Sequence, residues 1–190
     1  MKAYFTASLR EKDKYLANYT RIVKVMEGSG YKTLASDVLT PGSEDKIRLQ
    51  TKVERHDAFV ELTKRLKVAD LVVAEISTPS ISIGYEITSA LELNKSVVVL
   101  HTPGTGAVML EGMNDEKLQV VEYTLEDLDE KVRNALAEAQ KGIDVRFNFF
   151  VSPKILAYLD FVAQKRMIPR SVFLRDLIER EMKKDKEFKG

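Results

Sequence analysis

The densest chemistry in the chain lies in Ala69-Asp70-Leu71-Val72-Val73-Ala74-Glu75-Ile76-Ser77-Thr78-Pro79-Ser80-Ile81-Ser82-Ile83-Gly84-Tyr85-Glu86. An apolar run passes into a short polar loop, then a glycine, then a carboxylate in the expected first turn of a helix. Gly84 permits positive φ or the close approach of a ligand to backbone. Glu86 at a helix N-terminus is expected to be held as an anion, its pKa lowered by unpaired amides and the macrodipole. Such a carboxylate can attack an anomeric carbon or stabilise an oxocarbenium-like transition state. The plain alternative is a first-turn glutamate with no chemical duty, and the physics of the segment leaves both open.

The elements that must position this segment alternate between strand and helix. Lys2–Ala7 reads as a strand, Tyr15–Met26 as a helix closed by Gly28-Ser29-Gly30, and Tyr31–Ala35 as a second strand. After the loop Thr40-Pro41-Gly42-Ser43, a long polar helix is expected over Asp45–Val68, with room for one break. Leu71–Ile76 and Ser96–His101 are β-branched runs suited to strands buried on both faces, with Gly84–Leu93 helical between them. Leu118–Tyr123 is a last strand, and Thr124 caps a final helix with Asp127 at the third position of a capping box. Strand–helix alternation without hairpin turns predicts an α/β domain with a doubly wound, mainly parallel five-stranded sheet of Rossmann or flavodoxin type. Ligands of such sheets sit beyond the carboxyl ends of the strands.

The chain has 190 residues, with 30 Lys+Arg against 29 Asp+Glu, and no cysteine. Disulfides, thiolate metal sites and cysteine nucleophiles are therefore excluded. The run Val97-Val98-Val99-Leu100 is too short to cross a bilayer, and the start lacks the apolar core of a signal peptide, so a cytoplasmic protein with no membrane contact is expected. Gly104-Thr105-Gly106 lacks the further glycine of a dinucleotide loop and the Gly-Lys-Ser/Thr of a P-loop. His56 and His101 have no partner at metal-ligand spacing, so neither a metal nor another cofactor is expected. Tyr85 fits either beneath a sugar ring or in the core.

The near-neutral total hides an asymmetry. Residues 144–190 carry 11 basic and 7 acidic side chains, a net of +4, whereas residues 1–143 carry a net of −3. Six of the eight phenylalanines also lie in the tail. The expected organisation is an α/β domain over 1–140, a linker over 141–144 and a small unit over 145–190. In that unit Arg146–Val151 alternates like a strand, Ser152-Pro153 starts a helix, and a second helix runs from the Met167–Ser171 turn through Met182. One strand cannot stand alone, and so short a unit cannot bury this much apolar surface, so pairing with a second copy through the strand is expected.

The first 123 residues also resemble a known family. The strand ending Ala-Asp-x-Val-Val-Ala-Glu, followed by Pro79-Ser80 and Gly84-Tyr85-Glu86, is similar to the nucleoside 2-deoxyribosyltransferase superfamily, especially its 2′-deoxynucleoside 5′-monophosphate N-glycosidase branch. Tyr4-Phe5-Thr6-Ala7-Ser8-Leu9-Arg10, Asn94-Lys95 and Gln119-Val120 carry the likeness further. It implies Glu86 as the nucleophile that opens an N-glycosidic bond, assisted by Tyr4. It implies Ser80 and Arg10 at a 5′-phosphate, chemistry that a hydroxyl and a guanidinium fork suit, with Ser8 and Gly84 lining the sugar pocket. Two positions depart from the pattern. The expected aspartate eight residues before Asp70 is Leu62, leaving Asp57 or Glu61 as substitutes, and a serine expected to reach a neighbouring subunit is Leu110.

The tail resembles ribbon–helix–helix DNA-binding proteins. That likeness implies a homodimer or higher homo-oligomer, with Arg146, Asn148 and Phe150 facing the major groove of double-stranded DNA and the amides near Arg170 and Ser171 holding a phosphate. The functional expectation is cleavage or transfer of an N-glycosidic bond in a (deoxy)nucleoside or its 5′-monophosphate. The alternatives are a nucleotide-sensing, DNA-binding transcriptional regulator with an inactive first domain, and an enzyme whose tail serves only to build the oligomer.

Overall fold

The computed structural model describes residues 1–35, 37–43, 50–105, 108–113, 115–141, 150–166, 168–185 and 187. The chain divides into two compact units, Met1–Asp144 and Val145–Gly190.

In the first unit the order is β1 (Lys2–Ala7), α1 (Lys12–Gly28), β2 (Lys32–Ala35), α2 (Lys52–Val68), β3 (Leu71–Glu75), α3 (Ile81–Glu92), β4 (Ser96–His101), α4 (Val108–Glu111), β5 (Leu118–Glu122) and α5 (Leu128–Lys141). The five strands lie in the order β2-β1-β3-β4-β5, and every neighbouring pair is parallel. Chain order reverses beside β1, so the crevice at the carboxyl ends of β1 and β3 is the topological switch point. β1 and β3 meet in the register Tyr4↔Val72 through Ala7↔Glu75.

Alternation along the strands sorts the core into two layers. Ala3, Phe5, Leu71, Val73, Val98 and Leu100 pack on one face with residues of α1 and α5. Tyr4, Val72, Ala74, Val97 and Val99 pack on the other with Leu66 of α2 and Ile83, Ile87 and Ala90 of α3. Strands β3 and β4 are buried along their whole length, as their β-branched runs predict.

Helix ends follow local chemistry. Gly30, at φ 87°, lets the Tyr31 amide bond back to the Met26 carbonyl at 3.2 Å, and Asn94, at φ 58°, does the same for Lys95 and Ala90 at 3.0 Å. Thr124 accepts from the Asp127 amide at 3.4 Å while the Asp127 carboxylate accepts from the Thr124 amide at 2.7 Å, the reciprocal bonds expected, but they close a turn ahead of α5, which begins at Leu128 rather than directly after Thr124. The helix expected over 45–68 starts at Lys52, because Thr51 and Glu54 form a complete capping box. It runs unbroken to Val68, and residues 44–49 lie outside the described ones. α1 starts three residues before the expected Tyr15. α3 starts three before Gly84, so Gly84 and Glu86 sit inside the helix rather than opening it.

In the second unit, α6 (Pro153–Arg166) begins where Ser152 Oγ accepts from the Ile155 amide at 3.4 Å. α7 (Arg170–Met182) follows a short turn. Leu159, Val162 and Phe173 make a small buried cluster with Ile168 and Leu174 packed against it. Ile155, Leu156, Phe161, Leu177 and Ile178 remain exposed. Most of the expected strand, including Arg146 and Asn148, lies outside the described residues; Phe150 is fully exposed and neither it nor Val151 is in a strand. No described helix is long and apolar enough to cross a membrane.

Candidate active site

Glu86 projects from the second turn of α3 toward β1, on the face where Tyr4 and Thr6 point. The Tyr4 hydroxyl donates to Glu86 Oε2 at 3.1 Å. The Thr6 side chain is hydrogen-bonded to the same carboxylate. All three are buried, with Glu86 8% exposed. Thr6 carries no signal in the sequence beyond its position two residues after Tyr4, which places both on one face of β1.

The electrostatics of Glu86 reverse the sequence-based expectation. Burial pushes its pKa up, and the bonds from Thr6 and Tyr4 only partly offset that. The expected lowering assumed the first turn, where amides are unpaired. Helix α3 starts at Ile81, which leaves Glu86 beyond those amides and among apolar neighbours. Leu62 and Leu110, where the resemblance expects an acid and a hydroxyl, pack against the apolar cluster that holds Tyr4. Burial, with the Glu86 carboxyl beside it, also drives the Tyr4 phenol well above its ordinary value, so Tyr4 remains a neutral donor.

Two loops frame the crevice. After β1, Ser8 is buried, and its hydroxyl accepts from the Arg10 amide at 3.1 Å, while the Arg10 side chain is exposed. After β3, Ser80 is the N-cap of α3, and its side chain makes no capping hydrogen bond. Thr78 donates to Glu11 at 3.4 Å, joining the two loops. A Cβ added at Gly84 would meet nothing within 4 Å, and Gly84 has no positive φ, so its role is open space rather than an unusual backbone. Lys12, unremarked in the sequence, is buried and donates to the Thr40 carbonyl at 2.7 Å and Ser43 Oγ at 3.1 Å, which fixes the loop after β2.

Other expected residues are placed elsewhere. Asp57 is exposed nine residues before Leu66, the buried residue of α2, roughly 14 Å along the helix axis. Glu61 is exposed and turned to Arg65 at 3.5 Å and Lys64 at 3.9 Å. Tyr85 is not a core residue: it is half-exposed and tilted against Phe59 with ring centroids 5.9 Å apart. His101 is buried with Nδ1 3.1 Å from the Thr102 carbonyl, while His56 is exposed. Among the described residues, no three His, Asp or Glu converge as metal ligands. In the tail, Arg170 is ion-paired with Asp160.

No protein-family model matches the chain. Individual relatives do. The 5-hydroxymethyl-dUMP N-hydrolase of Danio rerio is 31% identical over 145 residues, covering 73% of this chain and 94% of its own. That of Esox lucius is 31% identical over 151 residues, covering 75% and 98%. A Thermofilum pendens protein named as a 2′-deoxynucleoside 5′-phosphate N-hydrolase is 27% identical over 149 residues, covering 77% and 100%. The solved structure of the Clostridium botulinum CMP N-glycosidase BcmB is similar over 72% of this chain and 98% of its own, at 14% identity and a TM-score of 0.48. With this identity across nearly the whole length of the fish enzymes, the chain belongs to the 2′-deoxynucleoside 5′-phosphate N-hydrolase family of enzymes.

Proposed function

We propose that the first unit hydrolyses the N-glycosidic bond of a 2′-deoxynucleoside 5′-monophosphate, with Glu86 as nucleophile. The observation that carries this reading is the buried Glu86–Tyr4–Thr6 cluster beside the switch-point crevice. The Glu86 carboxylate, oriented by Tyr4 and Thr6, is assigned the attack on C1′. The C1′–N bond breaks with its electron pair going to the base, which takes up a proton from solvent. Water then displaces the carboxylate from C1′ and restores Glu86. Burial strips the carboxylate of water, which makes its anion more reactive. Ser80, with no capping duty, and the exposed Arg10 suit the 5′-phosphate, and Ser8 and Gly84 suit the sugar.

The test is chromatography for free base after incubation with deoxynucleosides and their monophosphates. Release from the monophosphates, abolished in Glu86→Ala, is the expected result. Release that gives way to a new nucleoside when a second base is added would make the protein a transferase. An inactive, sensing first domain has less support, because the similar proteins are named for catalysis and the carboxylate and its tyrosine are both present.

For the tail we propose a ribbon–helix–helix unit that pairs two copies. Its two helices bury only three side chains fully among the described residues and leave Ile155, Phe161 and Ile178 at least half exposed. Light scattering should report a dimer that Phe161→Glu dissociates; a monomeric parent protein removes this reading. Arg146, Asn148 and Phe150 are assigned to the groove-facing side of the paired strands, and Arg170 and Ser171 to the phosphate backbone. A salt-sensitive gel shift weakened by Arg146→Ala is expected, and no shift at low salt leaves the tail as an oligomer clip alone.

A further inference from the structure

Strand β3 ends in a second buried carboxylate that the proposed chemistry does not use. Glu75 is fully buried. Its position in β3 puts it with Leu71 and Val73, on the sheet face away from Tyr4 and Glu86. Ser77 Oγ donates to Oε1 of Glu75, Tyr123 Oη donates to the same oxygen at 2.9 Å, and the Ser77 amide donates to Oε2 at 3.3 Å. The Ser77 hydroxyl also accepts from the Thr102 amide at 2.8 Å. Tyr123 in turn accepts from Asn18 at 3.1 Å. Thus the loop after β3 and the end of β5 meet on Glu75, and through Ser77 and Tyr123 they reach the loop after β4 and helix α1.

A core has no need of this arrangement. Among the described residues no Lys or Arg pairs with Glu75, and burial pushes its pKa up despite the hydrogen bonds. An apolar side chain of similar size would be cheaper to bury. What the carboxylate supplies is an acceptor for several donors at once. Ser77 is the middle of a relay, donating to Glu75 and accepting from Thr102, so Glu75 orients the hydroxyl that ties the two loops beyond the last backbone bond between them, Ile76 amide to Leu100 carbonyl at 2.9 Å. The β3 loop continues through Thr78 to Ser80 and the start of α3, at the crevice where the substrate enters.

We propose that Glu75 is a positioning residue that holds the β3 and β4 loops in register for substrate binding, acting through Ser77 and Thr102. This deepens the proposed hydrolysis and rests on it for its kinetic consequences. Glu86 and Tyr4 are packed from the opposite face, so their chemistry survives when the clamp is loosened. The signature is therefore in KM rather than kcat.

The experiment compares Ser77→Ala, Glu75→Gln and Glu75→Ala by steady-state kinetics on a cleaved deoxynucleoside monophosphate and by amide hydrogen exchange without substrate. Ser77→Ala should raise KM about 10-fold with kcat nearly unchanged, and should speed exchange at the Thr102 amide by a similar factor. Glu75→Gln keeps an oxygen for the Ser77 amide but turns a donor toward the hydroxyls, so it should fall between parent and Glu75→Ala. Variants with lowered Tm but unchanged KM and unchanged Thr102 exchange would overturn the proposal. If the parent protein releases no base while Thr102 exchange rises as described, the loop clamp stands and the hydrolase reading falls.

Discussion

Glu75 and Glu86 are both carboxylates buried against the same sheet, both pushed toward the protonated form by burial, and they stand on opposite faces of it. They differ in what surrounds the oxygens. Glu75 takes three donors from Ser77 and Tyr123, whereas Glu86 takes the side chains of Tyr4 and Thr6, with Leu62 and Leu110 in the neighbouring apolar cluster. A carboxylate with more donors orders the segments that supply them; one with fewer donors keeps more lone pairs for chemistry. Burial alone does not separate the proposed nucleophile from the proposed clamp.

The sharpest way to break this contrast is to neutralise each acid in turn. Glu86→Gln should lower base release on the order of 1,000-fold or more while retaining the fold, as seen by circular dichroism. Glu75→Gln should retain kcat, and equal losses in the two variants would erase the distinction. Tyr4→Phe comes next, with kcat lowered about 10-fold because the carboxylate loses one oriented donor.

Smaller and more telling is the response to pH. The raised pKa of Glu86 means that the folded state holds this proton more tightly than the unfolded chain. Ionisation therefore costs stability as pH rises from the ordinary glutamate value through the raised one. Glu86→Gln should accordingly melt above the parent at neutral pH, and the gap should close as pH falls below the ordinary glutamate range. The acid limb of the activity profile should also lie above that range. The cap carboxylates Glu54 and Asp127 carry the opposite sign, since hydrogen bonds from Thr51 and Thr124 lower their pKa. Their contribution is present above the ordinary carboxylate value and is lost as pH falls through the lowered one. Thr124→Ala should reduce Tm by about 2–4 °C at neutral pH, the smallest effect in the series.

Much of the first unit was legible because its signals are local. Lys2–Ala7 and Ser96–His101 begin and end as strands where their apolar runs do, and Thr124 with Asp127 closes its box through neighbours three residues apart. The start of α3 was not legible in this way. Gly84 looks like a helix opener, yet the helix begins at Ile81, which moved Glu86 beyond the unpaired amides and reversed the sign of its pKa shift. Thr6 and Lys12 were silent for a related reason, since their partners lie on other elements.

Periodicity and caps by themselves determined the alternating elements and the α/β class, and the Gly84-Tyr85-Glu86 motif singled out the carboxylate proposed as nucleophile. Strand order and pairing brought Tyr4 to Glu86, 82 residues apart in sequence, and gathered Ser77, Tyr123 and Thr102 around Glu75. Tertiary structure alone decided those contacts, because they depend on which strands are neighbours and which face each side chain takes. Protonation was decided there as well: a pKa reports the solvent and donors around a group, and for both glutamates these come from segments distant in sequence.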